Sequence, residues 1–394
     1  MNHKISEQSY YNNTQEKLFN YLRLIRSDNI GNVAFYKLLS RYTSAEIAIE
    51  NLENSTLNNN RYKLIDKKII EREINFANKN NITFLTYDDP RYPILLKNSD
   101  NPPPVISIIG NIDIFNKNSL SVVGSRSASA AGLKLTQDFI CELNQNDIII
   151  VSGLARGIDT AAHRASIKTG TIAVLAGGVN NIYPIENKAL YHSILDHGGA
   201  IISDAPVNYV ARALDFPKRN RIIAACSMGL LVIEAAEKSG TLITARLANE
   251  LGRLVFALPG SPLDPRATGT NNLIKAGAIM VMKPQDILDN LLPLYNKPNI
   301  SITKTLTQKK QASFNFMNND STIEVNNNSK NIFLHKKKDL KQKVLELLSV
   351  TPVSIDFLSY ATNSEISELS IVLTELEITG QLQRLSGSMV ALKK

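Results

Sequence analysis

The chain has 394 residues, too many for one ordinary core, so two to three domains are expected. Hydrophobic residues make up 43% and charged residues 20%, the composition of a globular protein, and a formal charge of +8 suits a polyanionic partner without requiring one. Its two cysteines, Cys141 and Cys226, sit in apolar runs, which disfavours a disulfide framework or a Cys-based zinc site. They fit a reducing compartment. No apolar stretch is long enough to span a bilayer, and MNHKISEQSYYNNTQ lacks an apolar signal core, so the cytosol is the expected location.

Residues 16–75 carry helical spacing: Leu18, Tyr21, Leu22 and Ile25, then Val33, Tyr36, Leu38 and Leu39. The polar break Asp28-Asn29-Ile30-Gly31-Asn32 separates two short helices, so residues 1–80 are assigned to a small helical-hairpin domain. Such hairpins touch DNA phosphates through backbone N–H groups or serve as packing modules, and packing is the more frequent role. Residues 81–118 hold Pro90, Pro93 and Pro102-Pro103-Pro104, and read as a connector of extended segments and turns.

From Ser119 the pattern changes. Apolar runs alternate with helical stretches: SLSVVG, DIIIVSG, TIAVLAGG, GAIIS, GLLVIEA, RLVFALPG and GAIMVM. Continuous apolar strands separated by helices predict a Rossmann-like α/β domain, doubly wound on a mostly parallel sheet, over residues 119–295. Residues 296–338, polar and including Lys336-Lys337-Lys338, read as a flexible linker. Residues 339–394 give three helical segments and a hairpin-like ending, the order of a winged helix. Its third helix carries Glu365, Glu368, Glu375 and Glu377 and almost no cation, so a packing or protein-contact role is favoured over duplex reading.

In such a sheet ligands bind where strand ends lead into helix N-termini. The first loop is Gly124-Ser125-Arg126, whose N–H groups and cation suit a phosphate; equally, Gly-Ser caps the next helix and Arg126 pairs with a carboxylate. The next is Ser152–Asp159, where Arg156 either faces an anion or braces Asp159. Further on come Tyr183-Pro184 with Asn187, and Asp215-Phe216-Pro217-Lys218-Arg219-Asn220-Arg221. That segment places an aromatic, an amide and three cations immediately before the apolar helix IIAACS. An aromatic stacks on a base while Lys and Arg hold phosphates, although these arginines also suit ion pairs. Ser239-Gly240-Thr241 again offers N–H groups and hydroxyls at a helix start.

No GxxxxGK[ST], GxGxxG or HExxH motif occurs, which leaves no support for an ATPase loop, a dinucleotide or a metal site. No cofactor is expected. Taken in order, VVGSR, SGLARGIDTAAH, TIAVLAGG, FPKRNRIIA, VIEAAEKSGTLITA, and VFALPG with GTNNLIKAGA resemble the DprA/Smf family across nearly all of residues 119–282. The terminal parts resemble it by layout more than by motif. The resemblance implies a non-enzymatic protein that binds single-stranded DNA, dimerises through its Rossmann-like domain and helps load RecA during natural transformation. It also implies DNA contacts at Arg126, Lys218, Arg219 and Asn220, with Phe216 a weaker candidate for base contact. The loop residues Gly124, Ser125, Arg156, Asn187, Ser239, Gly240 and Thr241 complete the expected DNA-binding set. Departures are small: Ala131 stands where the family often has Tyr, Asp204 follows Ser203 in place of Glu, and RNRIIAACS replaces RNRIIAGLS. Two other readings compete. A nucleotide-binding regulatory module would use the same loops. A nucleotide N-glycosidase of the lysine-decarboxylase-like type would need a Glu after its GT, where this chain has Thr244.

Overall fold

The computed structural model describes residues 2–54, 62–295 and 335–393. Most of the segment read as a linker, 296–334, lies outside the described residues.

Four helices open the chain: α1 (Asn2–Ile25), α2 (Asn32–Tyr42), α3 (Ala45–Asn54) and α4 (Lys67–Lys79). The break after α1 turns through Asn29, at φ 62°, before Gly31 starts α2. Amphipathic spacing brings Leu22, Leu24, Phe35 and Ile70 into one core, with Tyr21 edge-on to Phe35 at 5.1 Å.

The proline-rich connector does more than connect. It forms β1 (Thr83–Thr86), α5 (Ile94–Lys97) and β2 (Val105–Gly110). β2 pairs antiparallel with β1, Leu85 opposite Ile106, and antiparallel with β6 (Ala200–Ser203), Ile108 opposite Ile202. Pro102, Pro103 and Pro104 all precede β2, so they remove no donor from its ladder.

The remaining elements run β3 (Ser119–Gly124), α6 (Ala130–Asn144), β4 (Ile149–Ser152), α7 (Ile158–Ser166), β5 (Thr171–Val174) and α8 (Lys188–Asp196), then β6. After β6 come α9 (Asp215–Ala225), β7 (Gly229–Ile233), α10 (Gly240–Glu250), β8 (Leu254–Ala257), α11 (Thr268–Lys275), β9 (Ile279–Met280) and α12 (Pro284–Tyr295). The nine-stranded sheet has the order β1-β2-β6-β5-β4-β3-β7-β8-β9. β3–β4–β5–β6 and β7–β8–β9 pair in parallel, and their buried apolar residues are what a sheet covered on both faces demands. Strand order reverses between β3 and β7, the place where this architecture opens for ligands.

Two compact units divide the chain: residues 1–121, 147–154 and 166–228 form the first, and 122–146, 155–165 and 229–394 the second. The second unit ends in the expected winged helix: α13 (His335–Leu347), β10 (Val353–Ser354), α14 (Ile355–Thr362), α15 (Ile366–Ile378), β11 (Leu382–Leu385) and β12 (Met389–Leu392). Lys336, Lys337 and Lys338, read as linker, lie within α13. Leu348, Leu358, Leu369, Leu373 and Leu376 build the module's core, which Ala130 of α6 joins. Arg266 adds a polar tie, donating from Nη1 to Glu346 O at 2.9 Å and from Nη2 to Leu348 O at 2.8 Å.

Candidate nucleic-acid interface

In the second unit, three loops at the carboxyl ends of strands meet. Gly124 ends β3 so close to β7 that a Cβ there would stand 2.0 Å from Ile233 O; only glycine fits. Gly157, at φ +74°, lies against the backbone of Ser125 and Arg126, and Ile158 N donates to Ser125 O at 3.2 Å. The turn carrying Arg156 is thereby packed on the one carrying Arg126, and both arginines are exposed. Thr241 Oγ1 donates to Gly124 O at 3.1 Å and brings in the third loop. Thr241 itself is buried, and Ser239 caps α10 by accepting from Thr241 N at 3.2 Å. Gly240 is exposed beside them. The structure thus gathers Gly124, Ser125, Arg126, Arg156, Ser239, Gly240 and Thr241.

The start of α6 is already taken by an anion. Ser129 caps the helix by accepting from Gly132 N at 2.9 Å, and Glu234 lays its carboxylate on the same turn. Glu234 Oε2 accepts from Ser129 N at 2.8 Å, and Oε1 accepts from Ser129 Oγ. A Cβ on Gly132 would meet Glu234 Cδ at 2.5 Å. Burial pushes the Glu234 carboxyl above its ordinary value, against the downward pull of the Ser129 hydrogen bonds. The N–H groups and helix dipole that would receive a dinucleotide's phosphates therefore face a carboxylate of the chain itself. The cap of α6 is Ser129, not the Gly124-Ser125 pair that the sequence offered for it. Sequence reasoning gave Glu234 no role, because nothing in the sequence places it beside Ser129.

The first unit holds the other group. The cationic segment does not precede a helix but forms its first two turns, because Pro217 is tolerated where helical N–H groups lack partners. Helical phase then sorts the side chains. Lys218 keeps 73% of its side chain exposed while pairing with Asp215 at 3.1 Å, a weak tie at a wet surface. Arg219 is 5% exposed and donates from Nη1 to Val174 O at 3.1 Å, its guanidinium 5.9 Å from the Phe216 ring centre. Asn220 is half-buried. Phe216 meets Tyr183 edge-on at 5.5 Å, and Tyr183 is 54% exposed. Sequence reasoning named Tyr183 with Pro184 and left it out of the expected DNA-binding set. Asn187 is buried and donates from Nδ2 to Leu154 O at 2.8 Å, steadying a turn in which Leu154 adopts φ 56°. Asp215 accepts from Arg212 N at 3.0 Å and Tyr209 OH at 2.9 Å. Desolvation raises its carboxyl, but these bonds and Lys218 outweigh it and hold Asp215 below the usual range.

Among the described residues no cluster of three or more His, Cys, Asp or Glu could hold a metal, and no helix is long and apolar enough to cross a membrane.

Comparison with known proteins places this architecture. The family model of DNA recombination-mediator protein A matches residues 83–292, the DprA-like N-terminal HHH domain matches 15–75, and the DprA winged helix domain matches 335–388. Protein Smf of Escherichia coli K12 is 40% identical over 233 residues, 59% of this chain and 62% of that protein's length, less than two thirds of it. The X-ray structure of DNA processing protein A from Streptococcus pneumoniae aligns with TM-score 0.59 and 32% identity, covering 69% of this chain and 98% of that one. The Helicobacter pylori DNA processing protein A, solved for its single-stranded DNA binding mode, aligns with TM-score 0.50 and 26% identity over 54% of this chain and 96% of that one. Matched over more than half its length by the central model and at both ends by the accompanying two, the chain belongs to the DNA recombination-mediator protein A (DprA/Smf) family.

Proposed function

We propose that this chain binds single-stranded DNA without catalysing a reaction on it, protects it, and assists RecA loading in recombination, natural transformation included. One observation carries the reading. The start of α9 exposes Lys218, a cation for the backbone, and carries Phe216, which is paired with the exposed Tyr183 as aromatic surface for bases. That combination binds single strands without reading sequence, because every base has a face to stack and every nucleotide a phosphate. Arg126 and Arg156, exposed on the loops of the second unit, add cations of the same kind. Family membership and the binding mode named for the Helicobacter pylori relative support the same reading. A homodimer would carry two such surfaces and gain avidity through effective concentration.

Both competing readings lose ground. A nucleotide bound by its phosphates at α6 would have to displace the Glu234 carboxylate from Ser129. The glycosidase lacks its acid, since Thr244 is buried and carries no carboxyl group.

Fluorescence anisotropy with labelled oligo(dT) and a matched duplex, at low and high salt, tests the proposal. Wild type should prefer the single strand and lose affinity steeply with salt, and Arg126→Glu/Lys218→Glu should abolish binding. A folded wild type that ignores oligo(dT), or binds it regardless of salt, overturns the reading. Purified RecA added to the same mixture tests loading: faster RecA–DNA assembly is expected, and an unchanged rate removes that part. Sedimentation at several concentrations tests the homodimer, which a monomer at all of them would exclude.

A further inference from the structure

Residues 204–214 carry the chain from β6 to α9, and their course is fixed at three places. At the exit, Asp215 accepts from Arg212 N and Tyr209 OH. Midway, Gly178 N donates to Tyr209 O at 2.9 Å and Asn180 N to Val207 O at 3.1 Å. The approach is so close that a Cβ on Gly178 would stand 2.1 Å from Pro206 O.

At the entrance the anchors come from the helical domain. Arg26, directly after α1, donates from Nη1 to Asp204 O at 2.8 Å and from Nη2 to Ala205 O at 3.2 Å. Glu73 of α4 accepts from Val207 N at 3.1 Å, and its Oε1 lies 3.3 Å from Arg26 Nη2. The two side chains are only 6% and 10% exposed. A buried ion pair is a poor way to glue two domains, because desolvation offsets most of the attraction that apolar packing would supply more cheaply. What it does supply is direction. The free edges of this pair are spent on backbone groups of residues 204, 205 and 207, so it dictates where one short loop begins. Downstream, that loop exposes Val210 and Leu214 and delivers Phe216 and Lys218 on the first turn of α9.

We propose that Arg26 and Glu73 are positioning residues for strand binding: they preorganise residues 204–214 so that the first turn of α9 meets DNA without ordering a loop first. The inference rests on the single-strand reading above. A loop fixed in advance spares the entropy of freezing it on binding, and that saving appears as affinity.

Two measurements on the full chain test it: amide hydrogen exchange over residues 205–214, and oligo(dT) affinity as a function of salt. In Arg26→Ala the loop amides should exchange faster by roughly tenfold, and affinity should fall by a similar factor at every salt concentration. The slope of log affinity against log salt should stay at the wild-type value, because no phosphate contact is lost. Arg26→Lys should recover most of the affinity, and Glu73→Gln should shift both readouts the same way by less while leaving the helical domain folded. A merely structural pair would lower the melting temperature and leave affinity alone, and that result overturns the proposal. So does unchanged loop exchange, and so does a flattened salt slope, which would make Arg26 a phosphate contact. Wild type that fails to bind oligo(dT) sinks the single-strand reading itself; wild type that binds no better than Arg26→Ala sinks only the positioning role.

Discussion

Arg219 Nη1 donates to the carbonyl oxygen of Val174 at 3.1 Å, so a cation from the middle of a basic run is turned inward to tie α9 to the end of β5. Its neighbour Lys218 points to solvent. Substitution should separate the two roles. Arg219→Ala strands a buried carbonyl and should cost about 1–3 kcal/mol, seen as a lower urea midpoint. Lys218→Ala should stay within about 0.5 kcal/mol of wild-type stability. It should instead weaken oligo(dT) binding and reduce the salt slope by about one. If both variants unfold alike, or Lys218→Ala keeps the full slope, the division is wrong.

Tyr183 gives a second, independent handle on the same surface. Stacking of one base on an aromatic ring contributes about 1–3 kcal/mol. Tyr183→Ala should therefore lower affinity with no change in salt slope, since no charge is removed. The chain contains no tryptophan, so Tyr183→Trp places a single reporter at the ring, and oligo(dT) should quench it. An unquenched reporter in a binding-competent protein would show that bases do not reach this position.

How much of this was legible in the sequence follows from the range of each interaction. The parallel strands were, because SLSVVG or GLLVIEA is apolar on both faces and a buried strand needs nothing else. β1 and β2 were read as extended, but not as part of the sheet, because pairing with β6 is a contact across about a hundred residues. The cationic segment was found, but not its sorting. Whether Lys218 or Arg219 faces out depends on where α9 begins, and one residue of helical phase rotates a side chain by about 100°. Glu234 was hidden for a different reason: a carboxylate after a strand says nothing by itself until Ser129 is known to stand beside it.

Arg266 offers a test of the winged helix. Its guanidinium spans Glu346 O and Leu348 O at the carboxyl end of α13, where helical carbonyls lack partners and a cation also meets the negative end of the dipole. Arg266→Ala should lower the free energy of opening this module by about 2 kcal/mol. Amides of α13 and α15 should exchange faster while those of β7 and β8 keep their protection. Equal loss of protection in both places would mean that Arg266 supports the whole unit.

Glu234 should make stability depend on pH in a definable direction. Burial raises its carboxyl above the ordinary 4.5, so between 4.5 and the folded value the native state binds more proton than the unfolded chain. The contribution of this group is therefore fully present below 4.5 and is lost as pH rises through the folded value. It is the ionised form that bears the desolvation, offset in part by the two Ser129 hydrogen bonds. Glu234→Gln cannot titrate. Urea unfolding at pH 4 and pH 7 should find the variant gaining on wild type at the higher pH, whatever the offset from its altered hydrogen bonding. A difference that is constant across the two pH values, or that moves in favour of wild type, would mean that the site leaves Glu234 solvated and able to yield the start of α6 to another anion.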